Sequence, residues 1–237
     1  MKAVIMQPYL LPYIGYFQLM KTADVFVVYD NIKYTKKGWI NRNRFLRNGA
    51  DVLFSVPLKK DSDFLDVRER FIAPDFDSTS VLNPLREAYR RAPHFDAAFP
   101  VVERVFGNPE RNLFAFILAS MKEACGYLGI DTRVVVSSTL PVDHALQGQD
   151  RVLSLTEAVG ADTYVNPPGG VDLYSKADFD ARGITLRFLK PRPFEYPQFG
   201  APFVPWLSIV DVMMFNSRER IADTLASNYD LIEGTRP

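Results

Sequence analysis

Met1 to Leu46 reads MKAVIMQPYLLPYIGYFQLMKTADVFVVYDNIKYTKKGWINRNRFL, and the rest of the chain is organised around it. Lys2 to Met6 is a short apolar run that Gln7-Pro8 ends. Pro12 to Gly15 turns, Tyr13 to Lys21 has the spacing of an amphipathic helix, and Val25 to Tyr29 is a second apolar run. The pattern predicts a βαβ unit. In open parallel sheets ligands lie in the crevice outside the carboxyl ends of the strands, where loops turn into helices. Gln7 and Asp30 stand at those two ends, with Tyr9, Gly15 and Tyr16 in the turn and helix start that follow Gln7.

Directly after the second run, Asp30, Lys33, Lys36, Lys37, Arg42 and Arg44 are interleaved with Tyr34, Trp39, Asn41 and Asn43, a dense set of donors for an anionic ligand. A solvated basic loop with Trp39 packed on the sheet is the plainer reading, because charge runs are usually surface. The strand-like alternation of Trp39-Ile40-Asn41-Arg42-Asn43-Arg44 favours a binding role, with Arg42 and Lys36 on phosphate. An ion pair of Arg42 with Asp24 or Asp30 is the alternative. Asn43 to Arg47 and Val52 to Pro57 flank Asn48-Gly49, the pair that most strongly signals a β-hairpin.

Farther along, Val67 to Ile72 alternates like a strand, and from Ser80 to Leu128 the spacing turns helical. Three helices are expected there, Val81 to Arg91, Phe95 to Phe106 and Leu113 to Leu128, as an insertion in a single α/β domain. Thr132 to Ser137, Ala161 to Asn166 and Gly183 to Leu189 resume the strands, with helices from Asp150 to Val159 and from about Leu173 to Asp180 between them. The polar loop Ser137 to Gln149 and the turn Asn166 to Gly170 again fall where a strand ends and a helix begins, so Gln149, Asn166, Gly169 and Gly170 join the candidate ligand edge. Lys190 to Pro205 carries five prolines and reads as a long ordered loop. Ser208 is expected to cap an apolar helix, with Asp211 completing the cap, before a final helix from Arg218 to Ser227 and a short tail.

Lys plus Arg and Asp plus Glu number 28 each, so no global field draws the chain to nucleic acid or to an anionic membrane. No apolar run approaches the roughly 18–20 residues of a membrane helix, and no secretory signal pattern opens the sequence, which points to the cytoplasm. The single Cys125 reads as a core residue. His94 reads as a loop or capping residue. Two histidines far apart, without nearby cysteine, offer no metal-ligand spacing, and the sequence leaves any cofactor unknown.

QPYLLPYIGYFQLM, the run from Asp30 to Asn43 and LSIVDVMMFN together resemble the WbqC-like family, a likeness that extends over almost the whole chain and is weakest from about Asp61 to Arg111. The resemblance implies a bacterial protein of O-antigen and related surface-polysaccharide biosynthesis, acting on an activated sugar. The order of elements is also similar to the nucleotide-binding layout of nucleotidyltransferases related to class I synthetases. Their His-x-Gly-His signature corresponds to Tyr13-Ile14-Gly15-Tyr16, where only the glycine matches, so imidazole stabilisation of phosphoryl transfer is missing.

The fold expected is therefore α/β, a mainly parallel Rossmann-like sheet with a β-hairpin and a helical insertion. The function expected is a cytoplasmic transferase that attaches an acyl or aminoacyl group to a nucleotide-linked amino sugar. Such a reaction needs orientation, a proton acceptor and oxyanion donors, which Asp30, Lys33 and Asn41 are candidates to supply. Gln7, Tyr9, Gly15, Tyr16, Lys36, Trp39, Arg42, Arg44, Gln149, Asn166, Gly169 and Gly170 are the candidate substrate contacts. A non-catalytic nucleotide-sugar binding or scaffold protein is the alternative.

Overall fold

Ala3, Val4 and Ile5 are all buried, and a strand with no polar face belongs in the interior of a sheet covered on both sides. A computed structural model describes residues 1–233. In chain order its elements are β1 (Lys2–Met6), α1 (Ile14–Thr22), β2 (Val25–Val28), β3 (Arg42–Arg47), β4 (Ala50–Ser55), α2 (Thr79–Tyr89), α3 (Phe95–Phe106), α4 (Leu113–Leu128), β5 (Arg133–Val136), α5 (Gly148–Ala158), β6 (Thr163–Asn166), α6 (Lys176–Ala181), β7 (Thr185–Pro191), α7 (Ile209–Phe215), α8 (Arg218–Ser227) and β8 (Tyr229–Glu233).

The central sheet has the order β5-β2-β1-β6-β7-β8. Every pairing in it is parallel except that of β7 with β8. Strand order reverses at β1: the chain first builds outward through β2 and β5, then returns to the other side of β1 with β6. Alternate side chains divide the core. Ala3, Ile5, Val25 and Val27 pack with Val152, Leu153 and Leu155 of α5 and Phe179 of α6, whereas Val4, Phe26 and Val28 pack with residues of α1, α4 and α8. A mixed α/β architecture with helices on both faces results.

β3 and β4 pair antiparallel from Arg42↔Ser55 to Arg47↔Ala50. Asn48 and Gly49, with φ of 54° and 77°, make the two-residue turn between them. Phe45 and Phe54 turn the hairpin's apolar side onto Tyr89 of α2 and Phe106 of α3. The Pro-rich segment before α7 is tied down by Asp211. This buried carboxylate accepts hydrogen bonds from the Tyr89 hydroxyl (2.8 Å), the Tyr196 hydroxyl (2.7 Å) and Gln198 Nε2 (2.7 Å).

Three sequence expectations change. Val67 to Ile72 is not a strand but a 3-10 turn over Val67–Glu69 followed by single bridges, because Asp66 and Glu69 close a reciprocal capping box on the turn. The tail after α8 is a strand, β8, whose Asp230 and Glu233 pair with Arg192 and Arg187 across the sheet edge. Ser208 does cap α7, accepting from Val210 N, but Asp211 turns inward to the tyrosines instead of completing the cap. Among the described residues no helix is long and apolar enough to cross a membrane. Cys125 is buried in α4, and burial pushes its thiol up to about 12, so it stays a neutral thiol.

Candidate functional site

At the carboxyl end of β1 the chain makes a turn that two distant segments hold together. Asn43 Nδ2 donates to the carbonyls of Leu10 (3.0 Å) and Leu11 (2.9 Å), and Ser208 Oγ donates to Leu11 O (2.7 Å). Leu10 N donates to Trp39 O, and Ile209 N to Pro12 O. Leu11 sits at φ 43°, a left-handed conformation that a leucine adopts only when its surroundings enforce it. Gln7 is exposed at the strand end: its carbonyl accepts from the buried Tyr16 hydroxyl (2.8 Å), and its Oε1 accepts from Tyr9 (3.2 Å). Gly15 leaves room for the Tyr13 ring, which a Cβ there would approach to 2.4 Å.

At the end of β2 a second network crosses to the loop after β5. Asp30, 4% exposed, accepts from Ser137 Oγ (3.0 Å), Ser138 N (3.0 Å) and Ser138 Oγ (2.6 Å), with Arg68 Nη1 at 3.9 Å. Next to it, Asn31 Oδ1 accepts from Ser137 Oγ and from Arg151 Nη2, while Asn31 Nδ2 lies 3.1 Å from His144 Nδ1. Because a guanidinium can only donate, Asn31 Oδ1 must face Arg151, so Nδ2 donates to His144 and a neutral His144 carries its proton on Nε2.

Arg151, in the first turn of α5, stacks over the Tyr29 ring at 4.9 Å and leaves a buried Nε with no acceptor. Among the described residues no carboxylate pairs with it. It lines a cleft of about 400 Å³ together with Tyr29, Ile32, Gln147, Gly148, Gln149, Tyr164 and Tyr174. The N-terminus of α5 opens here with no side-chain cap, so free backbone donors and the helix dipole both favour an anion. Burial raises the hydroxyls of Tyr29, to about 12, and of Tyr164 and Tyr174, leaving them neutral hydrogen-bonding groups. Asn166 is buried at the end of β6, its Oδ1 accepting from Tyr164 (3.0 Å). Gly170 packs against it, since a Cβ there would fall 1.9 Å from Asn166 Nδ2, whereas Gly169 faces open space. Gln149 bridges Ser175 N and Asp178.

The basic segment lies elsewhere. Arg42 donates to the carbonyls of Gly38 (2.9 Å) and Lys37 (2.5 Å), pairing with neither Asp24 nor Asp30. Arg44 pairs with Asp51 (3.0 Å) and donates to Trp206 O (3.2 Å); both guanidiniums lie over Trp39. Lys36 is exposed and paired with Asp63, and Lys33 is exposed over the Phe64 ring. Asn41 is committed to Tyr34 OH and Val56 O. Tyr9, Tyr13, Trp39, Asn43, Arg44 and Trp206 line a second cleft of about 250 Å³. The expected single concave surface thus divides into a cleft around Arg151 and one around the tryptophans. Neither cleft is lined by Asp30, Lys33, Asn41, Lys36 or Arg42.

Arg151, Asn31, Tyr29, Tyr164, Tyr174 and Trp206 were not singled out from the sequence. The usable signal was Arg151 in the first turn of a helix that opens with Gly148, with tyrosines on the adjacent strand ends.

In open α/β sheets the crevice at the carboxyl edge where strand order reverses is the usual place for a ligand. The chain belongs to the WbqC-like protein family, whose profile matches residues 7–223. It is 26% identical over 227 residues, 94% of this chain and 97% of the other, to the uncharacterized protein Rv1507c of Mycobacterium tuberculosis (strain ATCC 25618 / H37Rv). No solved structure matches the chain.

Proposed function

We propose that the chain is a cytoplasmic transferase of surface-polysaccharide biosynthesis that attaches an acyl or aminoacyl group to a nucleotide-linked amino sugar. The observation that carries this reading is the cleft beside the β1–β6 reversal, where the uncapped N-terminus of α5 and an Arg151 with no carboxylate partner among the described residues face the same space. The strand order is that of doubly wound, Rossmann-like sheets, which supports reading the chain as a single α/β domain with a helical insertion at about 80–128.

In this reading Arg151 and the α5 backbone hold the diphosphate, a task that the sequence alone assigned to Arg42 and Lys36. The transfer is motivated by their engagements: Arg42 is spent on carbonyls and Lys36 on Asp63. Tyr29 and Tyr174 line the same cleft and offer it neutral hydroxyls. Asp30 positions the Ser137-Ser138 loop, and through it Asn31 and Arg151.

The lone pairs of Asp30 face three donors and an arginine, which favours a second reading in which the chain binds a nucleotide-sugar without turning it over. Purified protein supplied with nucleotide-sugars and acyl or aminoacyl donors separates the two by mass spectrometry. A new acylated sugar supports the transferase, and saturable binding without product supports the carrier.

A further inference from the structure

Both tryptophans of the chain, Trp39 and Trp206, line the second cleft, and both are exposed, at 38% and 63%. Large exposed aromatic groups gathered at one concavity are unusual on a soluble surface and mark binding sites. Trp206 also sits at φ 60°, a conformation a bulky residue rarely adopts, and its carbonyl is held by Arg44 Nη2. Its ring packs against Tyr13 at 5.6 Å and 67° and borders both this cleft and an adjoining one of about 310 Å³ lined by Phe194 and Phe203.

We infer that this cleft binds a saccharide ring, stacked on Trp206 and flanked by Trp39. A pyranose presents a face of C–H groups to an aromatic face and a rim of hydroxyls to polar neighbours. The rim of the cleft holds the Tyr9 and Tyr13 hydroxyls, neutral because burial raises both, and the Arg44 guanidinium, whose Nε has no acceptor among the described residues. A nucleobase suits the cleft less well. The Tyr13 and Trp206 rings are inclined and form no parallel slot, and Asn43, the one amide in the lining, spends its Nδ2 on two carbonyls and its Oδ1 on Arg44 N. The inference deepens the proposed function by giving a sugar its own place apart from the diphosphate cleft.

Because these are the chain's two tryptophans, tryptophan emission reports this cleft and the adjoining one that Trp206 also borders. The full chain is titrated with methyl glycosides of glucose, galactose, rhamnose, fucose, N-acetylglucosamine and glucuronic acid, and separately with uridine and adenosine. At least one glycoside is expected to change the emission saturably. Trp206→Ala is expected to weaken that glycoside about tenfold or more with an unchanged melting temperature, and Trp206→Phe to retain most of the affinity. No response to any of the six glycosides, a response to the nucleosides only, or unchanged glycoside affinity in Trp206→Ala overturns the inference. A parallel titration with nucleotide-sugars separates this inference from the proposed function: glycoside binding by a wild type that binds no nucleotide-sugar, or whose nucleotide-sugar affinity is unchanged in Arg151→Gln, keeps the saccharide cleft and removes the diphosphate reading.

Discussion

Asn43 Nδ2 stands 2.9 Å from the carbonyl of Leu11 and 3.0 Å from that of Leu10, so one buried carboxamide holds the left-handed turn that ends β1. Replacing it removes both bonds, taking the side-chain donor from Leu10 O and leaving Leu11 O with Ser208 Oγ. Asn43→Ala is expected to cost about 2–3 kcal/mol in urea unfolding. Asn43→Asp is expected to cost more, because a carboxylate would face two carbonyl oxygens. A loss under about 0.5 kcal/mol for both would mean that Ser208 alone secures the turn.

Asp211 gives the fold a pH dependence with a definite sign. Burial, opposed by the hydrogen bonds of Tyr196, Tyr89 and Gln198, raises its carboxyl above the usual value of 3.8. The folded state therefore binds this proton more tightly than the unfolded chain. The favourable contribution is complete below the unfolded value of about 3.9 and is lost as pH rises through the raised folded value. Asp211→Asn removes that titration. The stability of the wild type relative to Asp211→Asn is expected to fall as pH rises from about 3.5 to 6, measured by urea unfolding at each pH. A difference that grows with pH would show a carboxyl that is not raised.

Much of the fold could be read from the sequence because its signals are local. The apolar runs of β1 and β2, the Asn48-Gly49 hairpin and the Pro-bounded helices each follow from a few adjacent residues. β8 escaped because Tyr229–Glu233 alternates only weakly and owes its pairing to β7 and to arginines far away in sequence. The carboxyl ends of the strands were legible, which is why Gln7, Gln149, Asn166 and Gly170 were named as candidates. Which cations lack a carboxylate was not legible: the density of Lys33 to Arg44 suggested an anion site, yet carbonyls and carboxylates engage Lys36, Arg42 and Arg44, while Arg151 is held by Asn31 and meets no carboxylate among the described residues.

The two adjacent glycines should behave differently. Gly169→Ala places its methyl in open space and is expected to change stability by less than about 0.5 kcal/mol. Gly170→Ala drives a methyl into Asn166 Nδ2, so the amide must leave Tyr164, at a cost of about 1–3 kcal/mol by thermal melting. Equal effects would place Asn166 elsewhere.

Arg42→Lys tests the division of labour among the cations. A lysine cannot serve both Gly38 O and Lys37 O with fixed geometry, so stability is expected to drop by about 1 kcal/mol while nucleotide-sugar affinity stays unchanged. Weaker nucleotide-sugar binding at unchanged melting temperature would return the phosphate to the basic segment.

The central claim is that Arg151 and the N-terminus of α5 hold a nucleotide-sugar diphosphate. Isothermal titration of wild type and Arg151→Gln with uridine-, thymidine- and guanosine-diphosphate sugars tests it most directly, glutamine keeping a donor for Asn31 while removing the charge. The account expects binding of at least one of these by the wild type, weakened about tenfold to a hundredfold in Arg151→Gln with the melting temperature preserved. Equal affinity in the two proteins, or no binding by the wild type of any of the three, would contradict it.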